Sequence, residues 1–351
     1  MRRQEISILK AIGIILMVVG HSGCPALLRD AIYQFHMPLF FIASGMCLKE
    51  EHIGNIKGFV IRKIKGVWWP YVKYGTLFLL LHNVFYHLNI YNSSYGYLDS
   101  VSNLYTIKDF LWKFTKVIRM TGSEQLLGGF WFLHALFWGS IIGVLTLSVL
   151  KKKSGVTLIL LMIFTLLFCY FNVDIRYVYI TSTTLLAASF FLIGYICKNI
   201  KNTDYIYPVA IIAIVLGILY GADGMMISKM NLIVPYIIVA TLCTLAVYQC
   251  SKLMLRYEKL SKCLAYIGDN SLQILVWHFL SFKLVSLLII VIYDLPIESL
   301  AKFPVIEDVG QGWWLAYVLV GVVIPLLVQR IFQYCYLIAR KLMFKAKIIA
   351  C

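Results

Sequence analysis

ISILKAIGIILMVVGHSG, Ile6 to Gly23, and the segment that turns back after it, AIYQFHMPLFFIASG, Ala31 to Gly45, decide how the chain is read. The first is an apolar helix whose only ionisable residues past Glu5 are Lys10 and His21. Their separation amounts to three helical turns, about 16 Å along the axis, so both project from one face. The second segment returns after a short connection and brings His36 to the end occupied by His21. An ionisable side chain inside an apolar span is costly and is by default a functional hypothesis.

Working outward, 61% of the 351 residues are hydrophobic and only 14% are charged, against about 25% charge in an ordinary soluble domain. Apolar runs of span length recur along the chain, and the ten-residue alternation of a membrane β-barrel is absent. The expected fold is therefore all-α: a polytopic membrane helix bundle, residues 1–351 forming one membrane-embedded domain. The net charge of +16 suggests nucleic acid until it is located. Lys and Arg cluster in short loops, the pattern of cytoplasmic flanks rather than of a nucleic-acid groove, and no nucleic-acid partner is expected. The nine cysteines mostly lie within apolar runs without metal-like spacing, so no metal is expected. Arg2 and Arg3 before an apolar run resemble a signal peptide, but no small-residue cleavage site follows and many spans do, which reads as a retained first helix.

About ten spans are expected, near residues 6–22, 31–48, 68–89, 129–150, 156–172, 178–197, 206–222, 231–250, 270–292 and 313–334. With both termini cytoplasmic, 21 of the 32 Lys and Arg fall in inner segments and eight in outer ones, as the positive-inside rule requires. The long segment 90–128 then lies outside. Its part KDFLWKFTKVIRM sets Phe110, Leu111, Phe114 and Val117 on one side and reads as an amphipathic helix at the outer interface.

In this topology His21 closes the outer end of the first span and His36 opens the second, while Lys10 sits nearer the cytoplasm. A neutral imidazole can take a proton from an attacking hydroxyl; the competing readings are helix capping for His21, packing for His36 and snorkelling for Lys10. Asp30 is a geometric candidate for orienting either histidine. Ser44 with Gly45, the pair Trp131 and His134, Asn270 and His278 are further pocket candidates. For each of these, helix approach, an aromatic belt, capping or a satisfied buried histidine competes. Lys73 and Lys283 are expected to snorkel from span ends.

Lys10, ten residues and then His21 resembles the Arg/Lys-x10-His motif of the membrane-bound acyltransferase 3 family. GHSG…FHMPLFFIASG is similar to its branch of sugar O-acetylases typified by fucose 4-O-acetylase. Further segments fall in the family's order: Arg62-Lys63-Ile64-Lys65 before Trp69-Pro70-Tyr71, then Gly129-Phe130-Trp131-Phe132-Leu133-His134, then Gly268-Asp269-Asn270-Ser271-Leu272 with Trp277-His278. Lys stands at position 10 where Arg is commoner, which keeps the charge and gives up the bidentate fork.

The resemblance implies transfer of an acyl group, usually acetyl from cytoplasmic acetyl-CoA, to a hydroxyl of an extracytoplasmic polysaccharide or lipid-linked glycan. The setting would be a bacterial cell membrane, with membrane lipids around a multi-pass enzyme. It makes His21 the catalytic residue, acting as base or acyl carrier, and Lys10 its motif partner, with His36 beside them. Arg62, Lys63 and Lys65 would meet the phosphates of CoA, although simple positive-inside anchoring accounts for them equally. A transporter or flippase for a glycan precursor is the alternative. It calls for inverted repeats and intramembrane carboxylates, and neither is evident in the sequence.

Overall fold

Long apolar runs propagate as helix once a first turn forms, and tertiary packing of their faces stabilises them. The computed structural model describes residues 3–95, 101–200, 205–219, 224–225, 229–310 and 312–349, with backbone alone from residue 335. Its first six helices are α1 (Gln4–Gly20), α2 (Ala26–Tyr33), α3 (His36–Met46), α4 (Glu50–Gly54), α5 (Ile56–Lys63) and α6 (Trp69–His87). Next come α7 (Ile107–Ile118), α8 (Trp131–Val149), α9 (Ser154–Tyr170), α10 (Ser182–Cys197) and α11 (Ile206–Leu219). The chain ends with α12 (Met230–Met254), α13 (Glu258–Asp269), α14 (Ser271–Tyr293) and α15 (Trp313–Ile349). Among the described residues the only strand-like pairing is an isolated bridge between Ile175 and Ile180, and no disulfide links the described cysteines.

A helix occupies each of the ten segments expected to span. Among the described residues, four stretches are long and apolar enough to cross a bilayer: Gln125–Val149, Met230–Met254, Ser271–Tyr293 and Trp313–Tyr334. The helices Ser154–Tyr170, Ser182–Cys197 and Ile206–Leu219 are apolar but shorter. The segment expected as one span at 31–48 is instead two helices. Arg29 and Asp30 give α2 a polar side, and at Phe35 the backbone leaves helical geometry (φ −149°) before α3 begins. Pro38 sits in the first turn of α3, where its missing N–H costs nothing.

From Ile56 to His87 the chain winds without a break, but Ile64–Trp68 is a π-helical turn. Pro70 explains its position: proline cannot donate to the preceding turn, and its ring crowds the carbonyl four residues back, at Gly66. The amphipathic helix expected inside 90–128 is α7. Thr106 and Asp109 close its start with a reciprocal capping box, and Val117 is its buried anchor, lying against Gly75 of α6.

The core is built around α1, which α3, α12, α13, α14 and α15 surround. Two crossings bring backbones into contact. A Cβ on Gly268 of α13 would lie 1.7 Å from the Ser7 carbonyl oxygen of α1, and one on Gly45 of α3 would lie 1.8 Å from that of Phe191 in α10. Small residues at such crossings are the usual means by which helices associate without a strong hydrophobic drive. Ile159 and Leu167 of α9, Ile211 and Leu219 of α11, and Leu319 and Ile331 of α15 are exposed, which suits a lipid-facing perimeter. Lys283 does not snorkel. It is 3% exposed, and its Nζ donates to the Leu300 and Lys302 carbonyls at 2.8 and 2.7 Å. Those two bonds take the place of water in an interior that would otherwise expel the charge.

Candidate functional site

A cavity of about 710 Å³ opens between α1, α3, the π-turn, α8 and the junction of α13 with α14. Its mouth carries Arg3, Lys10, Lys49 and Lys63, against a single lining carboxylate, Asp269. That carboxylate accepts from the Ser7 hydroxyl at 2.7 Å, which ties α13 to α1 beside Lys10. Arg3 is held by Glu5 at 2.8 Å and donates to the Tyr248 hydroxyl at 2.6 Å. Lys63 donates to the Ser44 hydroxyl at 3.3 Å and lies over the Phe59 and Phe191 rings, at 5.3 and 5.6 Å. Four cations around one void attract anions, and an amphipathic ligand suits the rest of the wall, which is apolar.

Beside this mouth α4 is fastened to the bundle through Glu50. The Tyr195 hydroxyl donates to its carboxylate, and Lys152 approaches within 3.1 Å. The Tyr195 hydrogen bond first, and then Lys152, lower the Glu50 pKa to about 2.

Met17, Met37 and Leu275 also line the cavity, whereas His21, His36 and His278 lie outside its lining. One helical turn beyond Met17 is His21, directly before Met37 is His36, and three residues past Leu275 is His278. Lys10 lines the cavity, and His21, at the C-terminal cap of α1, stands outside it three turns further along the same face. His21 is half-buried; His36 and His278 are buried. The His21 and His278 rings stack with centroids 5.9 Å apart, and Phe279 lies 5.1 Å from His21. His36 stands 5.2 Å from the Tyr33 ring.

Each imidazole is turned by its Nδ1. That of His36 donates to the Ile32 carbonyl at 2.9 Å, and that of His278 to the Ile274 and Leu275 carbonyls, both at 3.0 Å. The Tyr33 hydroxyl donates to the Gly20 carbonyl at 3.1 Å and presents its oxygen 3.5 Å from Nδ1 of His21. Nδ1–H donation leaves Nε2 as the basic nitrogen of His36 and His278. Asp30, expected as a possible orienting carboxylate, pairs with its neighbour Arg29 at 3.4 Å instead; on the turn before Tyr33 it has solvent and a cation to hand.

The remaining candidates divide. Ser44 and Lys63 line the cavity, whereas Arg62 and Lys65 are exposed and lie outside its lining. Trp131 is half-buried outside the lining. His134 donates to the Val178 carbonyl at 2.8 Å and so ties α8 to the loop before α10. Asn270 returns its amide to the Tyr266 carbonyl at 2.8 Å, closing α13 rather than opening α14.

Sequence reasoning passed over Arg3, Ser7, Asp269 and Tyr33. Ser7 lies one turn before Lys10 and Tyr33 one turn before His36, and that spacing was the available signal. It also passed over a second buried polar cluster. His82 bonds Glu124 and the Asn103 carbonyl, both at 2.9 Å, and Tyr105 donates to the other oxygen of Glu124 at 3.1 Å. Both ring nitrogens and both carboxylate oxygens are occupied there, which makes this a brace between α6 and the segment before α8. Among the described residues no group of His, Cys, Asp and Glu is arranged to hold a metal ion.

A family model described as an acyltransferase domain matches residues 3–329. Neither a curated protein nor a solved structure matches the chain.

Proposed function

The chain belongs to the membrane acyltransferase 3 family, and from that premise we propose that it moves an acetyl group from acetyl-CoA to a hydroxyl of a glycan across the membrane. What supports this reading is a cavity with four lining cations and an otherwise apolar wall, lined also by Met17, Met37 and Leu275, which stand four, one and three residues along the chain from His21, His36 and His278.

The phosphates of a CoA thioester match the Arg3, Lys10, Lys49 and Lys63 mouth in charge, and its uncharged arm matches the apolar wall. In this reading the mouth faces the cytoplasm, the chain crosses the membrane about ten times, and Arg62 and Lys65 stand outside the entrance, able to meet only the solvent-exposed end of the donor. The acyl group advances past Met17 and Met37, unbranched and readily re-packed side chains, to reach His21. The attacking hydroxyl oxygen forms its bond to the carbonyl carbon, the carbon–sulfur bond breaks, and the departing thiolate takes up the proton. His21 serves either as the base that relays this proton or as a transient acyl carrier. The family resemblance of GHSG…FHMPLFFIASG to sugar O-acetylases supports a polysaccharide or lipid-linked glycan as acceptor.

Purified protein given labelled acetyl-CoA and extracted cell-surface glycan tests the proposal. Transfer is expected, with His21→Ala lowering it by about 10²- to 10⁴-fold while the protein still binds acetyl-CoA and melts as before. Undiminished transfer by that variant overturns the role of His21, and no transfer by the wild type overturns the reaction.

A further inference from the structure

His278 has an unused valence. Its ring is fully buried, and Nδ1 is committed to two main-chain carbonyls of its own helix, so Nδ1 carries the proton. Nε2 is then a bare lone pair, and among the described residues it has no hydrogen-bond partner. Buried acceptors are paired in the great majority of cases, and leaving one unpaired costs about 1–3 kcal/mol. The apolar neighbours explain nothing: Phe279 lies 3.9 Å and Phe282 5.7 Å from the ring, and neither offers a donor along its edge. A side chain that only had to fill this space would be leucine. What the site lacks is an O–H or N–H donor, and the adjoining ring is that of His21, a half-buried residue.

We propose that His278 recognises a second hydroxyl of the acceptor, the one next to the hydroxyl that is acylated, by accepting its O–H at Nε2. The inference rests on the acyl-transfer reading above and narrows its substrate class to vicinal diols. The His21 and His278 rings stack with centroids 5.9 Å apart, close enough for two neighbouring hydroxyls of one sugar, each about 2.8 Å from an imidazole nitrogen, to engage the pair together. One hydroxyl then reacts at His21 while the other is held at His278. A site built around a buried acceptor discriminates sharply against an analogue that leaves the acceptor unpaired.

Cyclohexane-1,2-diol and cyclohexanol, which differ by that one hydroxyl, are the probes. With acetyl-CoA as donor, kcat/KM for the wild type is expected to favour the diol by about 100-fold, the upper end of the cost of an unpaired buried acceptor. His278→Leu collapses this preference to a few-fold, mostly through KM for the diol, and His278→Gln, which keeps an acceptor there, recovers part of it. A wild type without preference for the diol, or a His278→Leu enzyme that retains the preference, overturns the proposal. A second measurement needs no turnover. In protein labelled with ¹⁵N-histidine, the Nε2 resonance missing from His278→Gln is expected to move on titration with the diol and not with cyclohexanol. An unmoved resonance overturns the proposal even if the leucine variant fails to fold. A wild type inert toward both alcohols counts against acyl transfer itself, and the titration still decides whether His278 binds the diol.

Discussion

Replacing Gly268 by alanine probes the contact on which the cavity wall depends. The added methyl carbon would stand 1.7 Å from the Ser7 carbonyl oxygen and 3.0 Å from the Ala11 nitrogen. An acceptable carbon–oxygen contact is about 3.3 Å, so α1 and α13 must separate by about 1.6 Å at this point. The Ser7 to Asp269 hydrogen bond, now 2.7 Å, would stretch past any useful length. Overpacking of this kind costs about 1–3 kcal/mol, and the lost hydrogen bond about 1 more. Together they should lower the half-unfolding temperature in detergent by about 4 °C or more, measured by scanning fluorimetry. Gly155→Ala is the matched control: a methyl group there meets nothing within 4 Å, and better helix propensity should leave stability unchanged or raised by up to about 1 kcal/mol. Equal melting of the two variants would refute the argument from backbone contact. Because Ser7 and Lys10 move with α1, the Gly268 variant should also bind acetyl-CoA more weakly at temperatures where it remains folded.

Two further outcomes follow from the mouth of the cavity. Lys63→Met should weaken acetyl-CoA binding by about 10- to 100-fold, the worth of one charge-assisted hydrogen bond, and calorimetry at rising salt should find this deficit shrinking as the charge is screened. Glu50 has its carboxyl lowered from 4.5 to about 2 in the folded protein. Its contribution is therefore fully present above about pH 4.5 and is lost as pH falls from there toward 2. The carboxylate is largely exposed, so less than about 1 kcal/mol is at stake. Tyr195→Phe should reduce the stability difference between pH 6 and pH 3, and an unaltered difference would show that the tyrosine hydrogen bond is idle.

Helix positions were legible in the sequence because apolar runs as long as Met230–Met254 and Ser271–Tyr293 leave the backbone no other way to satisfy itself in lipid. The pairing of Lys10 with His21 on one face of α1 was legible for the same periodic reason. Breaks were harder to read. The interruption at Phe35 depends on how α2 rests against the end of α1, where Tyr33 meets Gly20, and no local propensity announces it. The partners of Lys283 lie in an irregular segment, which hydropathy cannot anticipate, so a buried lysine was mistaken for a snorkelling one. Asp269 and Ser7 stand 262 residues apart, and only the docking of α13 on α1 makes them neighbours. Arg62 and Lys63 adjoin in sequence, about 100° apart around their helix, yet only Lys63 lines the cavity, a distinction a basic run does not reveal until its helix is oriented.

The π-helical turn at Ile64–Trp68 has a consequence for that orientation. A single wide turn amounts to one residue inserted into an otherwise regular helix, which rotates everything before it by about 100° relative to everything after it. Below the insertion Lys63 is aimed at Ser44; above it Tyr74 meets Gln273 of α14 at 3.0 Å. Deleting Gly66 would therefore put these two contacts out of phase: whichever half kept its grip, the other would swing its side chains onto the wrong neighbours. The widened turn works as a phase-setting joint, letting one rod serve two differently placed partners.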